Sequence, residues 1–145
     1  MNTKIIPIAA DHAGFELKQE IIKHLQAHNY TVKDYGTNST DSTDYPDYIH
    51  PLAMAINKGE YSQGIIICGS ANGVNITANK YENVRSAISW LPQIAALARQ
   101  HNNANVLAIP ARFVKESDAL MIVDTFLATE FEGGRHQTRV DKIKR

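Results

Sequence analysis

The segment Gly64-Ile65-Ile66-Ile67-Cys68-Gly69-Ser70-Ala71-Asn72-Gly73 constrains the fold more than any other stretch of the chain. Three consecutive isoleucines leave no polar side chain for a solvent face. The run therefore reads as a strand buried on both sides, as in a parallel sheet covered by helices. The small, glycine-bearing stretch after it reads as a turn into a helix. Cys68, the only cysteine, ends the apolar run.

The same grammar repeats along the chain. Residues 4–10, 30–35, 63–68, 84–89 and 106–110 read as strands. Residues 15–27, 48–58, 74–81, 92–101 and 116–129 carry apolar positions at helical spacing, and 135–144 reads as a last, polar helix. The alternation predicts an α/β fold, a single Rossmann-like three-layer domain over residues 1–145. Its core is a five-stranded parallel sheet with helices on both faces. Pro7 conflicts with an inner strand because it cannot donate to a ladder, so a bulge or a missing hydrogen bond is expected there.

Composition narrows the function classes. A hydrophobic share of 43% and a charged share of 21% fit a globular protein with a sizeable core. Fifteen Lys+Arg balance fifteen Asp+Glu, so the charge argues neither for nucleic acid nor for a membrane surface, and neither is expected as a partner. One cysteine allows no internal disulfide, no apolar stretch approaches a bilayer span, and residues 1–7 lack the apolar region of a signal peptide. A reducing cytoplasm is the expected location.

In an open parallel sheet, ligands bind beyond the carboxyl ends of the strands. Asp11, His12 and Gly14 follow the first strand, Cys68, Gly69 and Ser70 end the third, and Arg112 follows the fifth. The topology would bring these groups to one rim. Asp11 also suits a cap for the following helix. Cys68 reads either as core filler or as a base held at a helix N-terminus, where Gly69, Ser70, Ala71, Asn72 and Gly73 would present backbone amides to an anion. His101 and Asn102 close a helix, where the dipole would favour a protonated imidazole; a plain C-terminal histidine is the alternative. Arg135 and Arg139 share a helical face and, with Arg112, would suit a phosphate; a solvated basic tail is the alternative. The paired Gly133-Gly134 before them suggests a required bend. Tyr45 lies in a long polar loop, where it could flank a small substrate.

Taken together, Ala10-Asp11-His12-Ala13-Gly14-Phe15, Thr43-Asp44-Tyr45-Pro46, Cys68-Gly69-Ser70, Ala78-Asn79-Lys80, Arg99-Gln100-His101-Asn102 and Glu132-Gly133-Gly134-Arg135-His136 resemble the type B ribose-5-phosphate isomerases. The resemblance spans roughly residues 4–143. It implies an aldose–ketose isomerase of the pentose phosphate pathway working through a cis-enediolate, without metal or cofactor. On that resemblance Cys68 is the base, and Ser70 and the amides after Gly69 hold the enediolate. His101, supported by Asp11, opens the sugar ring. His12, Arg112, Arg135 and Arg139 hold the phosphate, while Tyr45 and Asn102 line the sugar site. The resemblance also implies a homodimer in which His101 and Arg112 serve the partner's Cys68, and leaves open a dimer of dimers. Ala71 stands where many members have glycine, and Val74 where another branch carries a glutamate base.

Two alternatives remain at this stage. Related isomerases of allose 6-phosphate or galactose 6-phosphate share much of the pattern. A non-catalytic, flavodoxin-like ligand-binding module would need no reactive thiol. A redox role is weaker, because no second cysteine can resolve a sulfenic acid within the chain.

Overall fold

The computed structural model describes residues 4–144. Residues 1–3 of the expected leaderless start, and residue 145, lie outside the described residues. Five parallel strands form one sheet: β1 (Ile5–Ala10), β2 (Thr31–Asp34), β3 (Gly64–Cys68), β4 (Ser86–Ile88) and β5 (Val106–Pro110). Their spatial order is β2-β1-β3-β5-β4. Five helices of the expected set alternate with them: α1 (Phe15–Ala27), α2 (Pro46–Asn57), α3 (Asn72–Ala78), α4 (Pro92–Asn102) and α5 (Glu116–Ala128). A sixth, α6 (Arg135–Asp141), packs on α4. A short 3₁₀ turn, His12–Gly14, precedes α1 and was not expected.

The pleat of β3 explains the three layers. Side chains alternate between faces along a strand. Ile65 and Ile67 enter one core with Ile21 of α1, Ala95 of α4 and Phe126 of α5. Ile66 and Cys68 enter the other with Leu52 of α2 and Val74 of α3. Every residue of β3 and β5 is buried, whereas the edge strands β2 and β4 are half-buried or exposed. The isoleucine run thus marks the middle of the sheet.

Element ends depart from expectation by one to three residues. Proline at the first helical position starts α2 two residues early, at Pro46, since its missing N–H has no helical partner to lose there. Pro7 needs no bulge. Its register with β2 is unbroken, Ile5↔Thr31 through Ile8↔Asp34. The carbonyl of Ile8 and the amide of Ala10 bond toward β2, so alternation turns Pro7 toward β3. The β1–β3 ladder begins only at Ile8↔Ile65, beyond the proline.

One buried charge was not anticipated. Lys18, on α1, has no exposed side-chain surface and donates to both carboxylate oxygens of Asp34, at 2.8 and 2.7 Å. It also donates to Gln19 Oε1 at 3.1 Å. Removing Asp34 leaves a fully buried ammonium unpaired, whereas removing the Lys18 charge leaves a carboxylate that is 36% exposed and open to water. Asp34→Ala is expected to destabilise the protein by about 3 kcal/mol, and Lys18→Met by less than about 1 kcal/mol. Urea unfolding of the two variants checks this; equal losses would contradict it.

Candidate active site

The sheet order reverses between β1 and β3. The chain leaves β1 toward β2 on one side and returns to place β3 on the other. The carboxyl ends flanking such a reversal form a crevice. Three backbone bonds fix its walls: Asp11 N to Ile67 O (3.2 Å), Ala111 N to Cys68 O (2.9 Å) and Arg112 N to Gly69 O (3.1 Å). The resulting open cleft, about 540 Å³, is lined by Asp11, His12, Tyr45, Cys68, Gly69, Ser70, Gly73 and Arg112, with Ala13 and Phe113. The groups expected at one strand rim are there.

Each has a definite setting. Cys68 is 5% exposed, at the cleft floor. Asp11 is buried and caps the 3₁₀ turn by accepting from Gly14 N at 3.1 Å, as its position suggested. His12 Nδ1 accepts from Thr43 N at 3.1 Å, which ties the polar loop to the cleft. That bond leaves Nε2 as the ring's donor in the neutral imidazole. Arg112 lies over Gly69: a Cβ there would meet its guanidinium at 3.1–3.2 Å. Arg112 has no carboxylate partner among the described residues, so its charge is free for an anion.

The turn after β3 is the anion-binding element. Ser70 Oγ accepts from Asn72 N (3.3 Å) and Asn72 Nδ2 (3.2 Å). The amides of Ser70 and Ala71 donate to no group among the described residues. Ala71 adopts the left-handed conformation, φ 66° and ψ −5°, at the start of α3. The turn that glycine would make freely is therefore made by alanine, with its methyl buried in the core.

The remaining site residues lie elsewhere in the chain. Helix α4 runs back from the carboxyl edge and ends in Asn103, φ 48°, just before β5. Val106 of β5 pairs with Gly64, whereas Pro110 pairs with Cys68. Val106, at the amino end of β5, is four strand residues from the level of Cys68, about 13 Å along the sheet, and His101 and Asn102 precede it at the end of α4. Asn102 borders a different cavity, with Arg85 and Lys80. Arg135 and Arg139, exposed on α6 against α4, are likewise remote from Arg112. One expectation changes accordingly: Arg112 sits with its own chain's Cys68, not held away from it. Asp11 and His101 occupy opposite sheet edges of one chain.

His101 has other neighbours. Its ring stacks on His136, centroids 4.3 Å apart and 14° from parallel. Burial, then the charges of His101 and Arg135, push His136 below the ordinary histidine value. Arg99 clamps the end of α4 by donating to Thr129 O (3.0 Å), Asn103 Oδ1 (3.0 Å) and Ala104 O (2.6 Å). The bend before α6 uses Gly133 at φ 69° and Gly134 at φ 56°, as the paired glycines implied. Sequence reasoning missed Glu132 and His136 as neighbours of His101; the two are four residues apart, but nothing local tied that pair to the end of α4.

Fold and cleft together define a metabolite-binding α/β protein whose site lies at the reversal of a parallel sheet. The chain belongs to the ribose/galactose isomerase family, whose model matches residues 6–143. It is 46% identical over 140 residues to ribose-5-phosphate isomerase B of Escherichia coli, covering 97% of this chain and 94% of that one. Its structure is similar to that of a ribose 5-phosphate isomerase from Thermotoga maritima, with TM-score 0.95, 45% identity and 99% of both chains covered. The Mycoplasma genitalium ribose-5-phosphate isomerase B, solved with bound ribulose-5-phosphate, matches with TM-score 0.94 and 46% identity over 99% of this chain and 95% of that one. Among the described residues, no helix is long and apolar enough to cross a membrane.

Gly14, buried in the turn after β1, and Gly73, in the cleft lining, differ in what they tolerate. A Cβ on Gly14 would lie 2.9 Å from the Ile67 carbonyl oxygen and 2.7 Å from Ile67 Cγ2, both fixed in β3. The atoms nearest a Cβ on Gly73 would be those of the Tyr45 ring, at 2.5–2.9 Å, and that residue is partly exposed. Gly14→Ala is expected to destabilise by about 2–3 kcal/mol, and Gly73→Ala by less than about 1 kcal/mol while displacing Tyr45. Denaturant midpoints and a crystal structure of Gly73→Ala check both.

Proposed function

We propose that this protein interconverts ribose 5-phosphate and ribulose 5-phosphate. The observation that carries the reading is the convergence of the Cys68 thiol, the Ser70 and Ala71 turn and Arg112, where neither turn amide has an acceptor and the arginine has no carboxylate partner among the described residues. Family membership and the names of the similar proteins support the same substrate.

In this reading Cys68, as thiolate, takes the proton from C2 of the open-chain aldose. The C2–H electrons form the C1=C2 bond of a cis-enediolate. The amides of Ser70 and Ala71, with the Ser70 hydroxyl, hold the negative oxygen where charge develops. Asn72 fixes that hydroxyl, and Gly69 and Gly73 keep the walls close to the sugar. Cys68 returns the proton to C1 while the O2 proton passes to O1, which gives the ketose. Arg112 and His12 Nε2 bind the phosphate, whose remote binding energy aligns C2 with the thiolate. Tyr45 covers the sugar.

The opposite-edge groups enter through a second copy of the chain. His101 of that copy, beside Asp11, opens the furanose by proton transfer to the ring oxygen, with Asn102 on the sugar and Arg135 and Arg139 on the phosphate. The rim of the cleft is suited to such a contact. Phe113 is 74% exposed, and Trp90 and Leu91 about half exposed. Trp90 and Phe113 share a shallow hollow with Ser70 and Asn72.

Two experiments test this. Turnover of ribose 5-phosphate, allose 6-phosphate and galactose 6-phosphate is compared in wild type and Cys68→Ala. The expectation is preference for the pentose, a loss of about 10³-fold in Cys68→Ala, and retained substrate binding by calorimetry. Preference for a hexose phosphate overturns the substrate; unchanged turnover in Cys68→Ala overturns the base; binding without turnover of any of the three by wild type favours a binding module. Second, inactive Cys68→Ala and His101→Ala chains are mixed after mild unfolding. If each site takes both groups from different copies, heterodimers carry one intact site, and about a quarter of wild-type turnover returns. No recovery overturns the shared site.

A further inference from the structure

His136 is a nearly buried imidazole that the proposed proton transfers do not use. It sits in the first turn of α6, and its ring lies face to face with that of His101 in the last turn of α4. The centroids are 4.3 Å apart and the planes 14° from parallel. Both rings turn the same edge to one carboxylate: Glu132 Oε1 is 3.8 Å from His101 Nε2 and 3.6 Å from His136 Nε2. Hydrogen bonds would bring N and O to about 2.7–3.2 Å, so the contact that fixes the two rings is the one between their faces.

The backbone seats the lower ring of this stack and leaves the upper one open. Glu132 N donates to Gln100 O at 3.1 Å, which pins the loop to the residue before His101. Positive φ at Gly133 and Gly134, 69° and 56°, then reverses the chain, and His136 N donates to Gly133 O at 3.1 Å. Val140, one turn further along α6, is buried with His136. The His101 side chain keeps 42% of its surface exposed, against 8% for His136. One face of His101 therefore rests on a seated ring while the remainder of the side chain stays accessible.

An exposed histidine at a helix end has two side-chain torsions, and the second is broad. Ring opening needs one nitrogen within hydrogen-bond reach of one oxygen. A flat neighbour restricts that second torsion without occupying either ring nitrogen, which a hydrogen-bonding partner would do. We propose that His136 is a positioning residue for ring opening: its imidazole, stacked on His101, holds that ring at the angle from which it passes a proton to the furanose oxygen. The role rests on the proposed function.

Two substrates separate positioning from general damage. Ribose 5-phosphate arrives as a closed furanose. 4-Deoxyribose 5-phosphate lacks the hydroxyl that closes that ring, so it arrives open, with C1, C2 and the phosphate unchanged. Both are assayed for kcat and KM with wild type, His136→Leu, His136→Phe, His101→Ala and the double variant His101→Ala, His136→Leu, each checked by a thermal melt. Leucine and phenylalanine both fill the buried site, and only phenylalanine keeps a flat face. In His136→Leu, kcat for ribose 5-phosphate is expected to fall about tenfold or more, and kcat for the 4-deoxy sugar to stay within about twofold of wild type. His136→Phe is expected to recover most of the loss. In the His101→Ala background the change at His136 is expected to cost nothing further, because it acts through that ring. Equal losses on the two substrates, no loss on either, equal losses with leucine and phenylalanine, or a further loss in the double variant overturns the role. So does a change confined to a higher KM for both substrates, which would report a disturbance of Arg135 and Arg139 on the same helix. A wild type without turnover of ribose 5-phosphate overturns the functional reading itself.

Discussion

Strand β3 is hydrogen-bonded along both edges, to β1 and to β5, and covered on both faces. The position of the thiol follows from that confinement. The side-chain period of a strand is two, so a slip of one residue would send Cys68 into the α1–α5 core and Ile67 toward the cleft. Such a slip would break the ladder to both neighbours and misplace the packing of Ile65 and Ile66 in opposite cores. The bonds from Asp11 to Ile67 and from Ala111 to Cys68 lock the last residue pair at the cleft floor. Core packing and chemistry are therefore specified by the same register.

The split of the candidate site follows from an equally simple rule. In a parallel sheet each connecting helix runs opposite to the strands, so whatever ends a helix lies at the amino edge. Groups placed after strands gather at the carboxyl edge, as Asp11, Cys68 and Arg112 do. His101 and Asn102 end a helix and cannot join them within one chain. In the proposed reading the cost of this topology is an obligatory second copy. The exposed Phe113 and Trp90 at the cleft mouth supply apolar area for its approach.

Much of this was legible before the structure. The isoleucine run, the alternation of elements and the strand-end chemistry each follow from local sequence. What was not legible depends on pairing between distant residues. Nothing local says that Lys18 will be buried against Asp34, since a lysine on an amphipathic helix ordinarily reaches water. The insertion of β5 between β3 and the short edge strand β4 is likewise a choice among strand orders that composition does not distinguish. Asp11 and His101 were joined by resemblance to a family, which describes an assembled site; the single chain separates them. The stacking of His101 on His136 depends on how α6 returns across α4, a feature set by two glycines and one backbone bond.

Ala71 shows how the two kinds of information interact. Sequence alone suggests that alanine in place of glycine limits the turn. The structure has alanine in the left-handed region all the same, at a strain of about 1–2 kcal/mol. Something must hold it there. Its carbonyl accepts from Asn75 N at 3.0 Å and starts α3, and its methyl is fully buried beside Cys68 and Val74. Burial of a methyl group contributes about 0.8 kcal/mol, and the helix bond adds about 1 kcal/mol, so the two together offset the strain. Relaxing Ala71 to a right-handed conformation would redirect its own amide and that of Ser70. The strained residue is thus kept by the core beneath it, in the conformation in which its amide and that of Ser70 meet no acceptor among the described residues.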